Sequence, residues 1–255
     1  MMDQAPRPHP STSPISLPIL TRWLLLGGLL LAALGASFAP WVDRPAAALV
    51  LTAPDLAEFV KFLPEVRDGS LKVQRLLFLL PLFAATFSLP LVISARSLVY
   101  PRLVRQSVLV LVIPLSLTLL PPVWSPGVLL SPEFRLQTAG CLLCLGLGGV
   151  SRWLRKIALR PVLLFLALTW LSAPILALWQ FRLAQEAIRR VYASPVAPGW
   201  GAWATFLGFI LASLAALLTA KSDRFLQLVP GNCVVDYASS HKATREGTTQ
   251  KGTRR

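Results

Sequence analysis

Six stretches of this chain run for 15 to 21 residues without a single Asp, Glu, Lys, Arg or His: Trp23–Pro40, Leu76–Ala95, Ser107–Trp124, Leu136–Val150, Pro161–Gln180 and Trp200–Ala220. A bilayer core of ~30 Å takes ~20 apolar residues of helix, and within it every backbone polar group has to be paired inside its own segment. Runs of this length therefore restrict the chain to a bundle of lipid-spanning helices. The balance of the sequence agrees, with 55% hydrophobic and 14% charged residues and a mean hydropathy of +0.62, far from the composition of ordinary soluble domains. The expected fold is all-α: a polytopic membrane protein with six transmembrane helices and two extracytoplasmic amphipathic helices. The fourth run, with 15 residues, extends through Phe134 if Arg135 snorkels to the interface. Trp23, Trp41, Trp124, Trp153, Trp179, Trp200 and Trp203 lie at or near the proposed ends, as an aromatic belt would.

Charge sets the orientation. Arg96, Arg102 and Arg105 in one short connection, and Arg152, Arg155, Lys156 and Arg160 in another, occur with no acid among them. Loops of this kind stay on the cytoplasmic side. Both termini are then cytoplasmic, and the expected location is a bacterial inner (plasma) membrane, with much of the +14 net charge facing anionic headgroups. The basic residues are scattered through short loops without a folded binding module, so no nucleic-acid partner is expected. Residues 1–22, rich in Pro, Ser and Thr, form a disordered cytoplasmic tail. Residues 23–220 form the six-helix domain, and 221–255 a basic cytoplasmic tail. Ser37-Phe38-Ala39 has the small residues of a signal-peptidase site, but Pro40 follows and argues against cleavage.

One charged, patterned segment interrupts the apolar runs. In the outer connection 41–75, residues 53–63 place Leu56, Phe59, Val60 and Leu63 at helical i, i+3, i+4, i+7 spacing, with Asp55, Glu58 and Lys61 on the other side. Thr52 suits the N-cap and Asp55 can bond back to it, while Pro64 stops the helix. This reads as a short amphipathic helix on the membrane surface, with those seven residues as candidates for docking a partner. Asp43, Asp55, Glu58, Glu65 and Asp68 could gather as a cation or partner site, although such charge runs are usually solvated faces. Residues 181–192 read as a second outer amphipathic helix, with Leu183, Ala184, Ala187, Ile188 and Val191 on one face. Arg182–Glu186 and Glu186–Arg190 are i, i+4 pairs on the other.

Small residues recur every fourth position in two runs, Gly140, Cys144 and Gly148 in one and Ala204, Gly208, Ala212, Ala216 and Ala220 in the other. Such stripes let helix backbones approach closely, within one chain or between chains. Cys141 and Cys144 have the spacing of a redox pair, but inside a span they read as small apolar packing residues. Pro81, Pro90, Pro114 and Pro174 are candidate kinks, and Thr86 or Ser88 could satisfy carbonyls freed nearby. Thr86-Phe87-Ser88-Leu89-Pro90 and Thr169-Trp170-Leu171-Ser172-Ala173-Pro174 share a Thr-aromatic, Ser-x-Pro arrangement three spans apart, as in an inverted repeat.

Function is constrained mainly by what the residues lack. Ionisable side chains inside spans mark proton relays and ion pathways, and none lies in these six runs. His9 and His241 are the only histidines and fall in the tails. No His-based metal site, triad, phosphate-cradling loop or zinc-protease helix is expected, and no catalytic residue, metal or cofactor. The leading expectation is a non-catalytic integral membrane subunit or scaffold, in contact with the lipid bilayer and with a membrane-protein partner or a second copy of itself. The alternative is a transporter or ABC-type permease subunit with proline-kinked helices.

Overall fold

Residues 17–44, 49–154, 159–192 and 196–228 are described by the computed structural model. They form helices α1 (Leu17–Ser37), α2 (Ala53–Phe59), α3 (Pro64–Arg67), α4 (Leu76–Ser94), α5 (Arg102–Leu117), α6 (Pro126–Leu129), α7 (Arg135–Gly149), α8 (Ser151–Leu154), α9 (Leu159–Tyr192) and α10 (Trp200–Leu228). A 3-10 turn, Val60–Phe62, extends α2. The chain divides into two units, Met1–Ala220 and Lys221–Arg255; the described part of the second is the helical segment 221–228.

Among the described residues four helices are long and apolar enough to cross a membrane: Ile19–Ser37, Leu76–Ser94, Arg160–Val191 and Trp200–Lys221. Six were expected. The two that fall short are α5 and α7, with 16 and 15 residues. At ~1.5 Å per residue they reach about 24 and about 22 Å, against a ~30 Å core. Helix α5 starts earlier than the apolar run and stops at Leu117, ahead of Pro121-Pro122, so the last part of the expected third span is not helical.

The centre of the bundle is α4, which packs against α1, α2, α5, α7, α8 and α9. Its sequence explains the position. An amphipathic helix has one face for the core, whereas α4 is apolar all round and has no face suited to water. Of the four long helices its apolar window is the most buried, at 67%. Pro81 and Pro90 lie within it and are themselves buried. The nearby hydroxyls bond elsewhere than the sequence suggests. Ser88 Oγ donates to the Ala84 carbonyl, and Thr86 Oγ1 is buried without a partner.

Helix α9 differs most from expectation. The fifth span and the second amphipathic helix, 181–192, are one continuous helix of 34 residues, about 51 Å long. Nothing between Pro174 and Tyr192 breaks the helix, and its apolar face continues through Phe181, Ala184, Ala187 and Ile188, all buried. Trp170, the one tryptophan away from the proposed ends, is fully buried, and its Nε1 donates to Ser88 Oγ at 2.8 Å. The two segments with the shared Thr-aromatic, Ser-x-Pro arrangement thus touch each other.

The segment after α1 is not wholly α-helical. Val42–Arg44 (β1) and Leu49–Leu51 (β2) pair antiparallel, Val42 opposite Leu51. Three-residue strands are too short to show the alternation that identifies a strand from sequence. Trp41 seats this hairpin. Its N–H donates to Leu51 O, its Nε1 to Gly35 O, and its carbonyl accepts from Gly199 N–H. With 1% of its surface exposed, Trp41 belongs to the core, whereas Trp23, Trp124, Trp153, Trp179, Trp200 and Trp203 are exposed.

Candidate functional site

Helix α2 forms where its caps allow. Thr52 accepts the Asp55 N–H and Asp55 accepts the Thr52 N–H, closing a capping box, with Pro54 in the first turn where its missing N–H is harmless. Leu56, Val60 and Leu63 are buried against the bundle, Phe59 is half-buried, and Phe62 stands 71% exposed. The charged side of the helix is not solvated as a simple amphipathic helix would have it. Glu58 bonds Arg75 at 2.9 Å and Lys61 at 2.6 Å. Lys61 also reaches Glu133 at 2.9 Å, and Arg75 reaches Glu133 at 3.5 Å. Both cations lie over the ring of Phe134, Arg75 at 4.5 Å and Lys61 at 4.9 Å. Two carboxylates, two cations and one aromatic face thereby fasten α2 to the start of α4 and to the segment entering α7.

The charges respond to this setting. The hydrogen bond from Lys61 holds the Glu133 carboxyl below its ordinary range against the opposing effect of burial. Partial desolvation works against the Lys61 ammonium, but bonds to Glu58 and Glu133 outweigh it and raise its pKa. At the same end of the bundle, Glu65 lies 3.6 Å from Arg190 and Gln180 accepts the Gln74 N–H, joining the 64–75 segment to the far part of α9. Of the two partners expected for Glu186, Arg190 pairs with it and Arg182 makes no ion pair among the described residues; Arg189 pairs with it as well.

The acids of the 41–75 connection do not converge. Asp55 is engaged at the cap of α2, Glu58 with Arg75 and Lys61, Glu65 faces Arg190, and Asp68 accepts the Ser70 N–H. Among the described residues no group of three or more His, Cys, Asp or Glu could hold a metal ion.

Both small-residue stripes lie against helices of the same chain. Gly208 sits on α1, where an added Cβ would stand 2.5 Å from Ala32 N and 2.6 Å from Gly28 O; reciprocally, a Cβ on Gly28 would stand 2.7 Å from Ala212 N. Ala212, Ala216 and Ala220 are buried, and Ala204 is partly exposed. On α7, Gly140 faces the Phe83 ring of α4, Gly148 approaches Val112 of α5, and Cys144 is fully buried between them in sequence. Cys141 and Cys144 are free thiols, and Cys233 lies outside the described residues.

Glu58 of the charged cluster lines one of two neighbouring cavities. A chamber of 520 Å³ with mixed polar and apolar walls lies between α2, the end of α1 at Ser37 and the end of α5 at Thr118. An apolar groove of 310 Å³ runs between α4 and α7 past Phe83 and Gly140. Leu79 and Gln137 line both. Gln137 is 7% exposed, its Nε2 donates to Leu119 O at 3.2 Å, and its Oε1 is buried with no partner. An unpaired buried acceptor costs about 1–3 kcal/mol. The sequence pattern alone points to no site role for Arg75, Glu133 or Gln137, and gives Phe134 only the end of a span. A signal existed for one of them: Glu133 is the only acid between Asp68 and Glu186, so it was the natural partner for a cation left over from the 41–75 connection.

No family model matches the chain, and neither a curated protein nor a solved structure resembles it significantly.

Proposed function

We propose that this chain is a non-catalytic integral membrane subunit whose α2 end faces outward and docks a membrane-protein partner. The observation that carries the reading is the rigidity of that end. The charged cluster and the Trp41 hairpin fix the 41–75 segment onto the bundle, yet leave Phe62 exposed at 71% on the tip of the α2 turn. A fixed platform carrying an unburied aromatic suits docking, since aromatic anchors contribute strongly to interfaces when little has to be ordered on binding. The small-residue stripes face inward and leave this end as the docking surface.

In this reading the chain crosses the bilayer six times with both ends cytoplasmic. Arg22 donates to Val99 O, and Tyr100 OH donates to the Arg22 carbonyl, so the start of α1 and the start of α5 share one end of the bundle. The finish of α5 lies at the other, where Thr118 lines the chamber beside Thr52. A short helix reaching between the ends spans by local thinning of the bilayer or by snorkelling of its flanks. Pro81 and Pro90 inside α4 and Pro174 inside α9 favour a second reading, a permease subunit in which these helices bend.

The test is a photo-crosslinking residue in place of Phe62, activated in native membranes before gentle detergent purification. A discrete adduct with one protein, which no longer co-purifies with a Phe62→Asp chain carrying no crosslinker, supports docking. Adducts with lipid only would overturn it.

A further inference from the structure

We propose that the chamber and the apolar groove together hold one membrane lipid, whose head is an uncharged hydrogen-bond donor of the diacylglycerol type and whose acyl chain lies between α4 and α7. The hydroxyl hydrogens around the chamber are already committed. Ser37 Oγ donates to Ala33 O at 2.7 Å, Thr118 Oγ1 to Leu115 O at 2.8 Å, and Thr52 Oγ1 to Asp55 at 2.7 Å. All three hydroxyls line the chamber and present only lone pairs to it. The remaining charged residues on its wall, Asp55 and Glu58, are carboxylates, and no Lys or Arg lines it among the described residues.

Gln137 fixes the polarity of the junction. A carbonyl accepts but cannot donate, so the group bonded to Leu119 O must be the amide nitrogen, which leaves Oε1 as the unpaired atom. One N–H of that amide apart, the polar side chains on the chamber wall are acceptors, set among apolar ones. A phosphate or carboxylate head would meet lone pairs with no facing cation, because Lys61 and Arg75 are engaged with Glu58 and Glu133. A hydroxyl head supplies the missing donor. The groove beyond Gln137 is suited to the tail: Leu76, Leu80, Phe83, Leu136 and Leu143 line it, and Gly140 keeps it open where a Cβ would stand 3.4 Å from the Phe83 ring. Leu143 is 48% exposed, which opens the groove sideways to a lipid chain. Phe62 is on the chamber wall, so the site adjoins the proposed docking position, but the lipid measurement uses the purified chain alone and needs no docked partner.

The experiment measures thermal denaturation of the purified chain in detergent with dioleoylglycerol or with dioleoyl phosphatidic acid, which has the same tails and an acceptor-rich anionic head. Dioleoylglycerol is expected to raise the midpoint and the acid to leave it unchanged. Gln137→Leu should weaken the dioleoylglycerol response about tenfold in lipid concentration, as expected for one lost hydrogen bond. Leu143→Trp, placed on the lipid-facing side so that folding survives, should fill the groove and abolish the response. Equal stabilisation by the two lipids, no stabilisation by dioleoylglycerol, or a response that survives Leu143→Trp would overturn the assignment. If Gln137→Leu does not fold, the lipid pair and Leu143→Trp decide it.

Discussion

The contact between α1 and α10 and the contact that holds α2 to the bundle fasten the same chain by opposite means. At the first, Gly28 and Gly208 remove side chains altogether, so that backbones meet at distances where even a Cβ would collide. At the second, long side chains span the space, and Glu58, Lys61, Arg75 and Glu133 close it with charge. The difference follows the surroundings. In lipid there is no hydrophobic force between helices, and close dispersion contact is what is left to hold them. Near water, charged groups can be used because the part of each that remains exposed stays hydrated. The first contact should therefore be intolerant of volume and indifferent to pH, the second tolerant of volume and sensitive to pH.

The largest effect is expected at the helix crossing. Gly208→Leu puts a branched side chain where a single carbon already overlaps Ala32, so α1 and α10 must separate, at a cost of about 3 kcal/mol. Leu207→Ala, at a neighbouring position that is 51% exposed, serves as control and should cost well under about 1 kcal/mol. Thermal denaturation in detergent compares them. Equal midpoints would break the distinction, because the crossing would then tolerate volume.

A smaller effect is expected at the charged cluster. Arg75 is only 13% exposed and touches both carboxylates, so Arg75→Ala leaves Glu58 partly buried with Lys61 as its remaining cation. The cost should be about 1–2 kcal/mol, read as faster protease cleavage within 52–75 at an almost unchanged bundle midpoint. A fall in the midpoint as large as that of Gly208→Leu would show that the cluster holds the bundle and not α2 alone.

The smallest effect is a pH dependence. Glu133 has its pKa lowered from 4.5 in the folded chain, so its contribution is fully present above that value and is lost as pH falls through the lower folded pKa. Lys61 has its pKa raised from 10.5, so its contribution is present below 10.5 and is lost as pH rises through the higher folded value. Protection of the 52–75 segment should accordingly be flat through neutral pH, fall off in acid below 4.5 and fall off in base above 10.5. Glu133→Gln should shrink the acid limb to what Asp68, whose carboxyl is held low by the Ser70 N–H, contributes, and should keep the alkaline one. The helix crossing, probed by the bundle midpoint, should show neither limb in wild type.

Several features could be read directly from residue order. The run Leu76–Ala95 predicts a helix that the structure places at Leu76–Ser94, and the Thr52–Asp55 box predicts the start of α2 to the residue. Both depend on neighbours within a few positions, where periodicity and capping operate. The site was less legible. Glu58 reads as a solvated charge along its own helix, yet its side chain is 23% exposed and faces Arg75, 17 residues away. Lys61 finds Glu133 across 72 residues, and Ser88 finds Trp170 across 82.

Local order thus determined that the chain forms long apolar helices, where α2 begins, and which residues are small enough to let helices touch. Tertiary structure decided that α9 continues through the expected break after Gln180, that the hairpin at Trp41 forms, that the small-residue stripes face neighbours in the same chain, and that Gln137 is left with an unpaired oxygen between two cavities. The physical reason is the range of the forces. Helix formation and capping are settled within one or two turns, whereas the partner of a charge or an amide depends on which distant segment packing brings beside it.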